Sequence, residues 1–301
     1  MKKFVVYTVI VGGYDDVKQP SVIDERFDYV LFTDIPEVNS IGAWQIRRIP
    51  YESERGFLIS RYPKIHPELV LPEYDAWLYH DGKLQLIEQK VYDRCIEQYE
   101  EEVEWAGCNH SLRRSLYEEM SAIILNRTKG VHDYDCIDWY YYLKENGYPD
   151  ENHLKDGYLL EAGVVFRRNT PNVKKVNDIW WWAVENYVSR DQFALMYAIW
   201  RVKDLKVSFL IPKDENVLFG GKYFLYSEHR TISVVSPGFL EHIRRRAWRE
   251  CHKEGELYTQ VFEESYRISS RHPHLALNLW TFIALFRYGV VRVFGKSDKT
   301  Q

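Results

Sequence analysis

Four cysteines in 301 residues, with no CxxC pair and no regular spacing, exclude a disulfide framework and a cysteine-built zinc site. Cys95, Cys108, Cys136 and Cys251 read instead as reduced thiols packed as small apolar groups. Neither sign of charge dominates: 40 Lys and Arg face 44 Asp and Glu, a net charge of −4, so no global basic field points to nucleic acid. No apolar run is long enough to span a bilayer. The N-terminal MKKFVVYTVIVGGYDD has an apolar run too short and too β-branched for a signal peptide, and GGYDD stands where a cleavage site would be. It reads as a first strand of a cytoplasmic protein. The turn after that strand also lacks GxGxxG, which argues against a dehydrogenase. There is no internal repeat and no low-complexity linker.

Aromatics are plentiful, with 10 Trp and 23 Tyr. They suit stacking on sugars, and they equally suit a Trp-rich core. The near-continuous β-branched run Phe4–Gly13 predicts a central strand, and Phe27–Asp34 repeats the form. Trp44–Tyr51 predicts a more polar strand. SERGFLISRYPKIHPEL predicts a helix stopping near Pro63 or Pro67, and DAWLYHD a fourth strand. Val91–Trp105 predicts an acidic amphipathic helix. Further helices are expected over SLYEEMSAIILNRTKG, over CIDWYYYLKENG with Gly147 closing it, and over VKKVNDIWWWAVENY and DQFALMYAIWRV. Leu159–Arg168 and Val207–Pro212 read as the remaining strands. The alternation predicts an α/β sheet of doubly wound type, in which ligands bind beyond the carboxyl ends of strands. A single domain is expected over residues 1–236. Residues 237–301 read as a helical extension whose final stretch from Glu241 holds 11 Lys/Arg against 7 Asp/Glu.

Three polar tips fall at strand ends: Gly12-Gly13-Tyr14-Asp15, Thr33-Asp34 and Asp81-Gly82-Lys83. A carboxylate at such a tip suits a metal ion or a sugar hydroxyl, and a glycine lets the backbone approach a ligand closely. Sugar-nucleotide transferases of the GT-A architecture carry Asp-x-Asp here. In this chain the third position is Lys83, itself a diphosphate-neutralising charge. The plain alternative is a DG turn with a surface ion pair. LLEAGVVFRR resembles the Asn-x-Gly-Val strand of glycogenin-like retaining glycosyltransferases, with Glu161 at the asparagine position. Asp191-Gln192 opens a helix much as the Asp-Gln pair of those enzymes does. Either side chain can also be a plain helix-start residue behind a Ser189 cap.

VVYTVIVGGYDDVKQP, DYVLFTD, RYPKIHPEL, AWLYHDGKLQL, HSLRRSLYEE, EAGVVFRRNTP and SRDQFALMYAI together cover roughly residues 4–210. In that order they resemble the glycosyltransferase-like family best known from plant seed-mucilage and pollen proteins, which has bacterial members. The resemblance implies a GT-A-like, Rossmann-type mixed sheet flanked by helices. It also implies transfer from a nucleotide-diphosphate sugar, a UDP-sugar first, to a polysaccharide or glycoconjugate such as a capsule. By position it gives Thr8, Gly12, Gly13, Tyr14 and Asp15 to the base and ribose, and Asp34 to the donor site at large. Arg61, Lys64, Asp81, Gly82 and Lys83 go to the diphosphate, and His110, Arg113, Tyr117 and Glu118 to donor or acceptor. Glu161, Asp191 and Gln192 fall at the reacting carbon. Asp81 and His229 are the positions for Mn2+ or Mg2+, a dependence the missing second aspartate puts in question. The alternative is a non-catalytic nucleotide-sugar or glycan-binding protein. Trp280, Phe282, Phe286 and Tyr288, mixed with Arg287 and Arg292 in the apolar stretch Leu275–Gly295, suit packing, a homodimer or the inner membrane interface.

Overall fold

The structure, a computed structural model, describes residues 2–34, 38–126, 133–149, 159–215, 217, 221–229, 239, 243, 246, 247 and 273–294. The chain divides into two compact units. The first comprises residues 1–112, 158–186 and 194–232, the second residues 113–157, 187–193 and 233–301.

The first unit is built on an eight-stranded mixed sheet. Its strands are β1 (Phe4–Ile10), β2 (Phe27–Thr33), β3 (Ser40–Ile41), β4 (Trp44–Arg47), β5 (Ala76–His80), β7 (Trp105–Asn109), β8 (Leu160–Arg168) and β9 (Val207–Phe209). Their order is β3-β4-β2-β1-β5-β8-β7-β9. β4, β2, β1 and β5 run parallel, whereas β8 lies antiparallel between β5 and β7. Every residue of β1 is buried, because the strand is central and helices cover both of its faces; its continuous apolar run has this cause. Two short strands, β6 (Leu84–Leu86) and β10 (Phe224–Tyr226), pair separately and antiparallel.

The unit's helices are α1 (Gly56–Ile65), α2 (Pro67–Val70), α3 (Gln89–Glu100) and α6 (Pro171–Asn186). α1 runs through Pro63 and stops at Ile65, and Pro67 opens α2 at a position where its missing N–H costs nothing. The helix expected over Val91–Trp105 ends earlier, at Glu100, and Trp105 begins β7. Trp44, Trp77, Trp105 and Trp180 are fully buried. Trp44 and Trp77 donate their indole N–H groups to the carbonyls of Lys18 and Leu71. These rings are core, not sugar platforms.

The second unit holds α4 (Leu116–Asn126), α5 (Asp133–Glu145), the start of α7 (Asp191–Arg201), and α8 (Pro273–Phe294). Gly147, at φ +72°, closes α5 as expected, with Tyr148 N donating to Leu143 O. α8 packs on α5 through His274, whose Nε2 lies 2.8 Å from Asp138 Oδ1 and whose ring stacks on Tyr134. The basic stretch HIRRRAWRE lies mostly outside the described residues, as do Cys251 and the end of the helix expected beyond Asn126. No helix among the described residues is long and apolar enough to cross a membrane.

Candidate functional site

The parallel half of the sheet brings the carboxyl ends of β1, β2 and β5 to one edge. Because β8 is antiparallel to β5, with His80 opposite Val164, its amino-terminal residues Glu161 and Gly163 arrive at that same edge. β7 reverses again, so His110 and Ser111 follow it there. Residues far apart in sequence are thus gathered by topology alone.

Asp81 is the hub. Its N–H donates to Gly163 O at 2.8 Å. Its Oδ1 accepts from Lys64 Nζ at 3.2 Å and from Tyr79 OH at 2.9 Å. Oδ2 faces Lys83 Nζ at 3.9 Å, too far for a hydrogen bond. Lys64 is buried, with its ammonium 4.9 Å from the centre of the Tyr79 ring. Lys83 lies 5.5 Å from the Tyr226 ring, carried there by the β6–β10 pair. Two ammonium groups thus converge on one carboxylate, and Lys83 is the one beyond hydrogen-bond reach of it.

Two glycines allow this crowding. A Cβ on Gly82 would lie 2.8 Å from Ile10 Cγ1 and 3.0 Å from Asp15 Oδ2. One on Gly163 would lie 3.2 Å from Asp81 Oδ2. Gly12 and Gly13 have φ of +64° and +62°, the left-handed region that glycine enters without strain. The Asp34 carboxylate accepts from Gly12 N at 2.9 and 3.1 Å, so it fixes the loop after β1. Asp15 Oδ1 takes a hydrogen bond from His229 Nδ1 at 2.7 Å, and the His229 ring lies 4.3 Å from that of Tyr14. Burial first, then the charge of Asp15, raises the Tyr14 phenol, and Arg61 opposes them.

Glu161 is buried, and its Oε1 accepts from Ser111 N at 3.2 Å and Ser111 Oγ at 3.3 Å. Burial pushes its carboxyl above the usual glutamate value; His110, the Ser111 bonds and Lys83 pull the other way. Thr8 lies two residues before the end of β1 and is buried, its Oγ1 without a hydrogen-bond partner. His80 is buried between the Trp44 and Phe224 rings, and burial lowers its pKa so that it is held neutral.

Arg113, Tyr117, Glu118, Asp191 and Gln192 belong to the second unit. There Asp191 and Gln192 are buried at the first turn of α7, and the preceding Arg190 pairs with Glu119 at 2.5 Å.

Behind the site, Arg167 is fully buried. It donates to Tyr7 OH and to the carbonyls of Lys64 and Ile65, the last two residues of α1, and to Asn177 Oδ1. Its guanidinium also lies 5.3 Å from the Trp105 ring. This cation satisfies carbonyls that the end of a helix leaves unpaired, and so fixes the turn that aims Lys64. The sequence reading missed Arg167, Tyr79, Ser111, Gly163 and Tyr226. Tyr79 was within reach, since residues two apart on a strand share a face; the others are placed by long-range register.

A divalent cation at Asp81 fits this donor set poorly. Both carboxylate oxygens face ammonium groups. Among the described residues, the set of three His, Cys, Asp or Glu ligand atoms lying within 4.8 Å of one another is elsewhere, at His66, Glu68 and Asp178.

Residues 1–218 match the family model described as TOD1/MUCI70, glycosyltransferase-like domain. No curated protein matches. Among solved structures, the apo form of the bifunctional glycosyltransferase WbbM aligns over 69% of this chain and 38% of its own, at 9% identity and a TM-score of 0.37.

Proposed function

Because the chain belongs to the TOD1/MUCI70 glycosyltransferase-like family, we propose that the strand-end edge of its first unit binds a nucleotide-diphosphate sugar, a UDP-sugar first among them. The sugar passes to a hydroxyl of a polysaccharide or glycoconjugate with retention. The observation that carries this reading is Asp81 held between Lys64 and Lys83. Buried Lys64 neutralises and orients Asp81. Lys83 stands beyond hydrogen-bond reach of it and is available to a diphosphate. The loop from Gly12 to Asp15, with Tyr14 and His229 beside it, takes the nucleoside, and Arg61 adds to the positive field.

In the transfer, the bond from the anomeric carbon to the diphosphate oxygen breaks and a bond to the acceptor oxygen forms. The acceptor proton passes to the departing diphosphate, whose charge Lys83 stabilises. Glu161 positions the sugar. The reading places the transfer chemistry in residues 1–236. It makes the extension's exposed Leu275, Leu279, Phe282 and Phe286 a contact face for a second copy or the inner membrane surface. Cys95 and Cys108, buried and unbridged among the described residues, support a reducing, cytoplasmic setting.

Calorimetry with UDP, GDP, CDP and their sugars, with manganese or with EDTA, tests the donor site. One nucleotide series should bind in EDTA and lose about tenfold or more in Lys83→Ala. Binding that requires manganese and tolerates Lys83→Ala would return the diphosphate to a metal at Asp81. Donor binding without any transfer or donor hydrolysis would favour the non-catalytic reading.

A further inference from the structure

His66 caps the carboxyl end of α1, Glu68 lies in the first turn of α2, and Asp178 projects from α6. One ligand atom from each lies within 4.8 Å of the other two. From this convergence we propose a second site, distinct from the donor edge, that binds a divalent transition metal of the zinc and manganese class. One nitrogen and two carboxylate oxygens match such ions. Bonds near 2.0–2.2 Å need ligand atoms separated by about 3–4 Å, within reach of small rotamer changes here.

The surroundings are those of an oriented ligand set. His66 Nδ1 lies 2.7 Å from Glu68 Oε1. The other Glu68 oxygen accepts from Asn177 Nδ2 at 2.6 Å, and Asn177 Oδ1 in turn accepts from Arg167 at 2.9 Å. The rings of Tyr62 and Trp181 lie 5.5 and 5.6 Å from the imidazole and restrict its rotation. Outer-shell partners of this kind fix the geometry of metal ligands. The side chains of His66 and Glu68 are largely covered while Asp178 is exposed, so an ion enters from solvent and closes on a prepared pair. A bound ion ties the α1–α2 corner to α6, two residues beyond Lys64. Divalent metal would then stabilise this protein without touching Asp81.

The test is Co2+ titration of the full chain followed by visible absorption, with Zn2+ displacement, on wild type, Asp178→Asn, His66→Gln and Asp81→Asn. One equivalent should bind to wild type and to Asp81→Asn, and should raise the melting temperature of both. Asp178→Asn, an exposed change that leaves the metal-free melting temperature in place, should weaken binding by about tenfold or more, as should His66→Gln if it folds. No uptake by wild type, or uptake unchanged in Asp178→Asn, would overturn the proposal and leave His66 and Glu68 a hydrogen-bonded buried pair. Uptake lost only in Asp81→Asn would overturn it in favour of a metal at the donor edge.

Discussion

A methyl group at position 82 would press on Ile10 Cγ1 at 2.8 Å and on Asp15 Oδ2 at 3.0 Å. The Ile10 atom is close to its own backbone and has little freedom to yield. Gly82→Ala should therefore destabilise the fold by about 1–3 kcal/mol, measured by urea unfolding, and should push the loop after β1 away from Asp81. Unchanged stability would mean that the turn and the loop shift apart freely. Glu161 gives a prediction in pH. Its folded pKa is raised by burial above the ordinary 4.5, so between the two values the folded state holds the extra proton. Folding stability should fall as pH rises from about 4.5 through the raised value, and level off above it. Glu161→Gln removes that slope, so its melting temperature relative to wild type should climb across this window. A pH-independent difference would show that the Ser111 bonds and the nearby cations offset burial completely.

At the scale of elements, α1 depends on a side chain from the opposite end of the sheet. Arg167 takes the Lys64 and Ile65 carbonyls, and Tyr7 OH adds a hydrogen bond to Lys64 O at 3.0 Å. Arg167→Met strips these partners and leaves buried acceptors unsatisfied, for an expected loss of about 3–5 kcal/mol. Arg167→Lys should recover little, since an ammonium cannot span the four oxygens that the planar fork reaches. Full recovery by lysine, seen in chemical denaturation, would reduce Arg167 to a buried point charge. The same network shows why α1 runs past Pro63. The bond that the proline forfeits inside the helix is offset by packing and by the anchored last turn. A local reading of the proline cannot detect an anchor contributed 104 residues later by β8. β7 was hidden for a related reason. Trp105-Ala-Gly-Cys-Asn has little strand character of its own, and it becomes a strand because β8 and β9 pair with it on both sides.

Across the whole molecule, the legible part was the part written locally. β1, β2, β5 and β8 are apolar runs, and the charges that interrupt them at Asp15, Asp34 and Asp81 lie at one edge because parallel strands must end together. The approach of Lys64 and Lys83 to one carboxylate, the pairing of Asp15 with His229 and the β6–β10 ribbon all depend on contacts across long stretches of chain, which periodicity does not encode. The overall charge was likewise a poor guide to the site. The chain carries −4 in total, yet two ammonium groups converge on Asp81. That contrast is measurable. If two ammonium groups hold the diphosphate, UDP affinity should fall by about threefold or more between low salt and 0.5 M NaCl, against the repulsion expected from net charge alone. Lys83, partly exposed at the tip, should account for most of the slope, whereas buried Lys64 is screened less. Lys83→Ala should therefore flatten the salt dependence as well as weaken binding. A steep slope that persists in Lys83→Ala would transfer the anion contact to Arg61 and the loop after β1, and Lys83 would then serve only to balance Asp81.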